Sequence, residues 1–196
     1  MAEFTSAEKV NIGYENEYST DAMTGGLDKR RQLDYQLIRS MTKAESVDII
    51  VSFLMESGVR MLLKELEHTL KRGAKIRILT GNYLGITQPS ALYLIKRKLG
   101  DRVDLRFYCE KGRSFHPKSY IFHYTDHSEL YIGSSNISRS ALTSGIEWNY
   151  RFSSQKDPEN YNEFFRTFED LFVNHSIIID DKELKRYSQV TVQRYV

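Results

Sequence analysis

Residues 114–122 read SFHPKSYIF. The second half of the stretch is apolar and aromatic and reads as a strand. In a strand, side chains i and i+2 leave on the same face. His116 and Lys118 are therefore expected to project together, with Pro117 turned away. Pro117 has no backbone donor, which suits an edge strand or a strand start. This spacing of an imidazole and an ammonium occurs once in the chain.

Toward the C-terminus, SYIFHYT (119–125) and SELYIGSSN (128–136) read as two strands joined across a short polar DHS turn, an antiparallel hairpin. SRSAL (138–142) is a short helix, IEWNYRF (146–152) a further strand, and residues 158–176 an amphipathic helix. That helix turns Tyr161, Phe164, Phe165, Phe168, Leu171 and Phe172 inward.

Toward the N-terminus, the spacing of Leu33, Leu37, Ile38 and Met41 predicts a helix over 28–45. VDIIVSFL (47–54) reads as a strand buried on both faces. Residues 56–73 follow as a helix ending at Gly73. AKIRILTGNY (74–83) is a second strand. Residues 87–100 form a helix with Thr87 as cap, Pro89 in the first turn and Gly100 as stop, and RVDLRFYC (102–109) is a third strand.

The order implies right-handed crossovers and an α/β fold: a mixed, mainly parallel β-sheet flanked by helices on both faces. Residues 1–27 read as a polar lead-in, 28–176 as one folded domain and 177–196 as a C-terminal extension whose pattern is ambiguous.

Composition bounds the function. Apolar residues make up 40% of the chain and charged residues 28%, enough for a proper core in a soluble domain. The net charge of +2 does not mark a nucleic-acid binder in bulk, so any such role rests on a local patch. Lys111, Arg113, Lys118 and Arg139 supply one. Cys109 is the only cysteine, which excludes an internal disulfide and a cysteine zinc site. No histidine and carboxylate spacing suggests another metal centre, and no P-loop is present. No signal core and no membrane-length apolar run is found, so a cytoplasmic location is expected.

The second hairpin strand ends in GSSNIS (133–138), which sets Ser134 and Asn136 on one face, and the next strand carries Glu147 and Asn149. Paired strands would gather His116, Lys118, Ser134, Asn136 and Glu147 on one surface. All but Glu147 donate hydrogen bonds, and Glu147 can accept one from an imidazole. Such a set suits phosphoryl transfer. A histidine can hold phosphorus covalently, an ammonium and a carboxamide can stabilise charge on oxygen, and a carboxylate can fix the imidazole tautomer. Ser134 and Ser135 read equally as turn residues or as contacts to a substrate phosphate. Glu147 reads also as an ordinary strand residue.

HPK followed by GSSNIS resembles the phospholipase D superfamily, whose signature is H-x-K, four residues, D, then G-S-x-N. His116, Lys118, Ser134 and Asn136 fall on its positions. His123 stands where the signature has aspartate, and Asp126 lies three residues beyond that slot. Metal-independent nucleases and restriction endonucleases of the superfamily share this departure and carry a later glutamate, at a spacing like that of Glu147. The stretches IIVSFLMESGV, ILTGNYLGITQPSALYLIKRKLG and SFHPKSYIF also resemble the module at the N-terminus of some bacterial helicase and restriction-type proteins.

The resemblance implies a metal-independent phosphodiesterase acting on nucleic acid, with DNA ranked ahead of RNA and the choice between them left open, and with no cofactor. His116, Lys118, Asn136 and Glu147 would be catalytic. Ser134, Ser135, Lys111, Arg113 and Arg139 would meet the substrate. One H-x-K per chain implies a homodimer with the two histidines at its seam, and a fused or associated helicase is a further implied partner. A non-catalytic DNA-binding and dimerisation module of a larger protein is the alternative. Lipid cleavage ranks last, since no membrane-docking stretch is evident.

Overall fold

The apolar run at 47–54 forms β2 (Ser46–Val51), a strand inside one mixed sheet. The computed structural model describes residues 21–25, 28–82, 85–110 and 112–193. Most of the expected lead-in, and Lys111, lie outside the described residues. The first described strand is β1 (Ala22–Met23), and α1 (Leu33–Met41) precedes β2. After β2 come α2 (Glu56–Lys71), β3 (Lys75–Gly81), α3 (Pro89–Leu99) and β4 (Val103–Tyr108). The second half adds β5 (Lys118–His123), β6 (Ser128–Gly133), α4 (Arg139–Leu142), β7 (Asn149–Ser153), α5 (Pro158–Asn174), β8 (Ser176–Ile178) and α6 (Asp181–Gln193).

Across the sheet the order is β1-β7-β6-β5-β2-β3-β4-β8. The parallel ladders are β2 with β3 and β3 with β4, as the crossover helices require. The other five ladders are antiparallel, so the sheet is mixed as expected but not mainly parallel: parallel pairing is confined to the strands that crossover helices join. Helices cover both faces, as expected. Val47, Ile49 and Val51 of β2 join the core beneath α1, α2, α3 and α6, whereas Ile50 joins the core beneath α5.

The tail left open by its pattern is continuous with this fold. β8 pairs with β4, and α6 buries Leu184 and Tyr187 in the larger core.

Several local expectations are corrected. The first helix is shorter than 28–45: Asp28 caps a 3-10 turn at Lys29–Arg31, and Gln32 is extended before α1 starts. Thr87 does not cap α3. Its hydroxyl donates to the Gly81 carbonyl at 2.7 Å, and Gln88 takes the cap position. The strand expected over 146–152 begins only at Asn149. Phe164 is exposed on α5, because its helical position falls outside the stripe of Tyr161, Phe168 and Phe172.

One charged group interrupts the apolar run of β2. Asp48 is buried and accepts two hydrogen bonds from Arg77, at 2.6 and 2.7 Å. His123 Nε2 donates to Asp48 at 2.8 Å, and its Nδ1 meets the Ser128 and Tyr161 hydroxyls. Arg77 reaches on to Glu169 of α5 and lies over the Phe168 ring. The residue at the signature's aspartate position is thus a histidine bound to a buried aspartate from a neighbouring strand.

Burial by itself would raise the Asp48 pKa, but hydrogen bonds from His123 and Arg77, together with their charges, hold it below the usual carboxylate range. Its stabilising contribution is present above the unfolded-state pKa of about 3.9 and is lost as pH falls through the lower folded value. Asp48→Ala leaves Arg77 and His123 without their shared acceptor, and urea unfolding at neutral pH is expected to show a loss of about 3–5 kcal/mol. For Asp48→Asn, the stability difference from wild type is expected to shrink as the pH is taken below about 3.9; a gap constant with pH would refute the linkage.

Candidate active site

The register of three strands brings the expected residues to one edge of the sheet. Lys118 pairs with Val51 at the C-terminal end of β2. Ser119 pairs with Ile132, and Gly133 pairs with Asn149. The segments 116–118, 133–136 and 147–149 therefore meet at the same edge as the ends of the parallel strands.

His116 is exposed, and it is not a strand residue. It lies in the loop before β5, and Pro117 directly precedes the first paired residue. The expected strand geometry for the H-x-K pair is replaced by a contact: Lys118 Nζ donates to the His116 carbonyl at 2.7 Å. Ser52 Oγ donates to the Pro117 carbonyl at 3.2 Å and holds the same turn. Lys118 is half-buried. Burial lowers its pKa, and the Glu147 charge pulls the other way, so the two groups sense each other across the site.

Asn136 is buried, and its Oδ1 accepts the Phe53 backbone N–H at 3.1 Å. That bond turns the amide so that Nδ2 is the atom left to offer a substrate. The loop is tied to the end of β2 at two further points: Met55 N–H donates to the Ile137 carbonyl at 2.8 Å, and Leu54 bridges to Ile137. Ser138 then caps the short α4, its hydroxyl accepting from Ala141 N–H.

Ser134 is exposed and hydrogen-bonds Glu147 through its hydroxyl. Glu147 was expected to support His116 directly; its hydrogen bond goes to Ser134. Glu147 also precedes β7 rather than lying in it, so it does not share a strand face with Asn149. Ser135 faces the interior. Its hydroxyl donates to the Ala141 carbonyl and accepts from Asn149 Nδ2, and its carbonyl accepts from the Tyr120 hydroxyl. Being fully buried, Ser135 shapes the loop and does not face a substrate.

The outlying cations are spread. Arg113 is exposed and lines a hollow of about 720 Å³ with Gly81, Tyr108, Phe115 and Arg186. Arg139 is exposed at the start of α4, where its backbone N–H meets Ser57 Oγ at 3.4 Å. Among the described residues, no group of three or more His, Cys, Asp or Glu side chains is placed to hold a metal ion. No helix among them is long and apolar enough to cross a membrane.

Sequence reasoning missed Asp48 and Tyr120. A charge inside VDIIVSFL was the available signal for the first. The hydroxyl of a fully buried tyrosine holding the Ser135 carbonyl left no mark in the pattern.

The comparisons with known proteins agree on the fold. The family model described as cardiolipin synthase, PLD-like domain, matches residues 37–171. Among solved structures, NucT from Helicobacter pylori superposes with a TM-score of 0.56 at 15% identity, covering 74% of this chain and 89% of that one. Nuc from Salmonella typhimurium, a phospholipase D family member, gives 0.56 at 17% identity, covering 75% and 90%. A polyphosphate kinase from Porphyromonas gingivalis gives 0.56 at 14% identity, but the match covers 26% of that longer chain. No curated protein matches the chain.

The glycine of GSSN has a steric reason. A Cβ on Gly133 would collide with the Trp148 carbonyl and the Asn149 side chain. Gly133→Ala is expected to cost about 1–3 kcal/mol by forcing β6 and β7 apart, read as a lower urea midpoint. Unchanged stability would show that the two strands can part without cost.

Proposed function

The chain belongs to the phospholipase D-like family, and on that premise we propose that it hydrolyses nucleic-acid phosphodiester bonds, DNA foremost, without a metal. The observation that carries the reading is the meeting of Lys118, Asn136 and the Ser134–Glu147 pair beside an exposed His116 at one sheet edge.

The imidazole of His116 attacks phosphorus, forming a P–N bond as the bond to the leaving oxygen breaks. Lys118 and Asn136 Nδ2 stabilise the charge that gathers on the non-bridging oxygens. The leaving oxygen takes a proton from His116 of a second copy, since one chain offers a single histidine at this edge. Water then attacks the phosphohistidine. The second copy's imidazole, now neutral, removes the water's proton, the P–N bond breaks, and a phosphate monoester leaves. Glu147, through Ser134, sets the polar wall facing this reaction, and Arg139 and Arg113 offer further charge to a strand passing the site.

The test uses plasmid and single-stranded DNA in EDTA. Wild type is expected to cleave, and His116→Ala to fall below detection. Lys118→Ala is expected to lose roughly 10²–10³-fold in kcat with a smaller change in binding. Light scattering at micromolar concentration is expected to show a dimer. Cleavage only after a divalent metal is added would overturn the metal-free mechanism. Binding without cleavage by both proteins would leave the chain a DNA-binding and dimerisation module.

A further inference from the structure

Large apolar side chains beside the candidate site face solvent. Ile146 is 88% exposed, Trp148 72% and Tyr150 53%. Neither Trp148 nor Tyr150 belongs to the core of the chain. Trp148 sits on a fixed backbone: Ser134 N–H donates to its carbonyl at 3.0 Å, and its own N–H donates to Ser134 Oγ at 3.1 Å. The same Ser134 hydroxyl binds Glu147. The Trp148 backbone is therefore one residue from the site's carboxylate and directly hydrogen-bonded to its serine. Farther along β7, Tyr150 stacks with Phe152, and Phe152 meets the exposed Phe164 of α5. Phe152 itself is buried, so the exposed aromatic surface beside the candidate site is that of Trp148 and Tyr150.

The exposed Trp148 ring on this fixed backbone is accessible to a strand bound at the candidate site. Trp148 adjoins Ser134 and Glu147, the polar groups of the candidate site, whereas the centre of a stable protein interface is depleted of charged residues. Flat aromatic faces beside a phosphate site suit nucleobases, because every base has a π-face to stack. In an intact duplex those faces are already covered by neighbouring base pairs, so only an unpaired base is free to take the indole.

Resting on the function proposed above, we propose that Trp148 is the platform on which an unpaired base beside the scissile phosphate stacks, with Tyr150 as the next contact along the strand. The favoured substrate is then nucleic acid with single-stranded bases at the cleavage point. Trp148 is a positioning residue; it makes and breaks no bond.

Trp148 is the only tryptophan in the chain, so its emission reports this contact directly. The probe is a short oligothymidylate, titrated in EDTA into the full-length His116→Ala protein, which leaves the strand uncut. Emission is expected to be quenched at lower concentration by the single strand than by a fully paired duplex of equal length. In steady-state cleavage of single-stranded DNA, Trp148→Ala is expected to raise KM about 5- to 140-fold, the range base–aromatic stacking implies, with a smaller change in kcat. Trp148→Phe is expected to recover most of the loss. Equal quenching by duplex and single strand overturns the preference for unpaired bases. Wild-type cleavage without any quenching overturns the stacking role and leaves the nuclease reading standing. Loss of the dimer in Trp148→Ala by sedimentation assigns the surface to a second copy and overturns the proposal. Absence of both quenching and wild-type cleavage overturns this proposal together with the function it rests on.

Discussion

The register of β5 against β2 and β6 is the constraint from which the site follows. Lys118 stands opposite Val51, and Ser119 opposite Ile132. Side chains alternate with a period of two, so a slip of one residue would turn Tyr120 and Phe122 out of the larger core and carry Lys118 to the opposite face. The cost of exposing two fully buried aromatic rings pins the register, and with it the position of the H-x-K loop beside the GSSN loop. Packing energy gathered in the interior is what fixes the polar edge.

The two faces of the sheet divide the labour. One face carries most of the hydrophobic core, and Tyr120 reaches from it to hold the Ser135 carbonyl. The other face carries the Asp48–Arg77–His123 cluster beneath α5, where Glu169 and Tyr161 complete the polar contacts. A bidentate arginine and an imidazole satisfy the buried carboxylate that β2 introduces. The histidine at the signature's aspartate position belongs to this interior cluster, and the candidate site is assembled without it. The departure from the signature is thus accommodated in the interior of the fold.

The strands and helices were legible because their apolar residues recur at two- or 3.6-residue spacing. Boundaries were less so. Thr87 carries the residue type of a helix cap, yet a carbonyl at the end of β3 competes for its hydroxyl and wins. IEWNYRF reads as one strand, but pairing with β6 and β1 begins only at Asn149, leaving Ile146, Glu147 and Trp148 in the preceding loop. For the site, the residue types of the H-x-K and GSSN segments were readable in order. Which hydroxyl points outward was not: Ser134 and Ser135 are adjacent and chemically identical, and only the loop's path sends the first to Glu147 and the second to the interior.

The sequence by itself determined the element order, the α/β class, the single H-x-K pair and the likeness to the phospholipase D superfamily. These depend on local periodicity and on residue identity at fixed spacing, which a linear string carries in full. Tertiary structure decided the strand order, the joining of the tail to β4, the partner of Glu147 and the exposure of Trp148. Each of these depends on contacts between segments far apart in the chain, where burial and steric fit choose among arrangements that local pattern leaves equal.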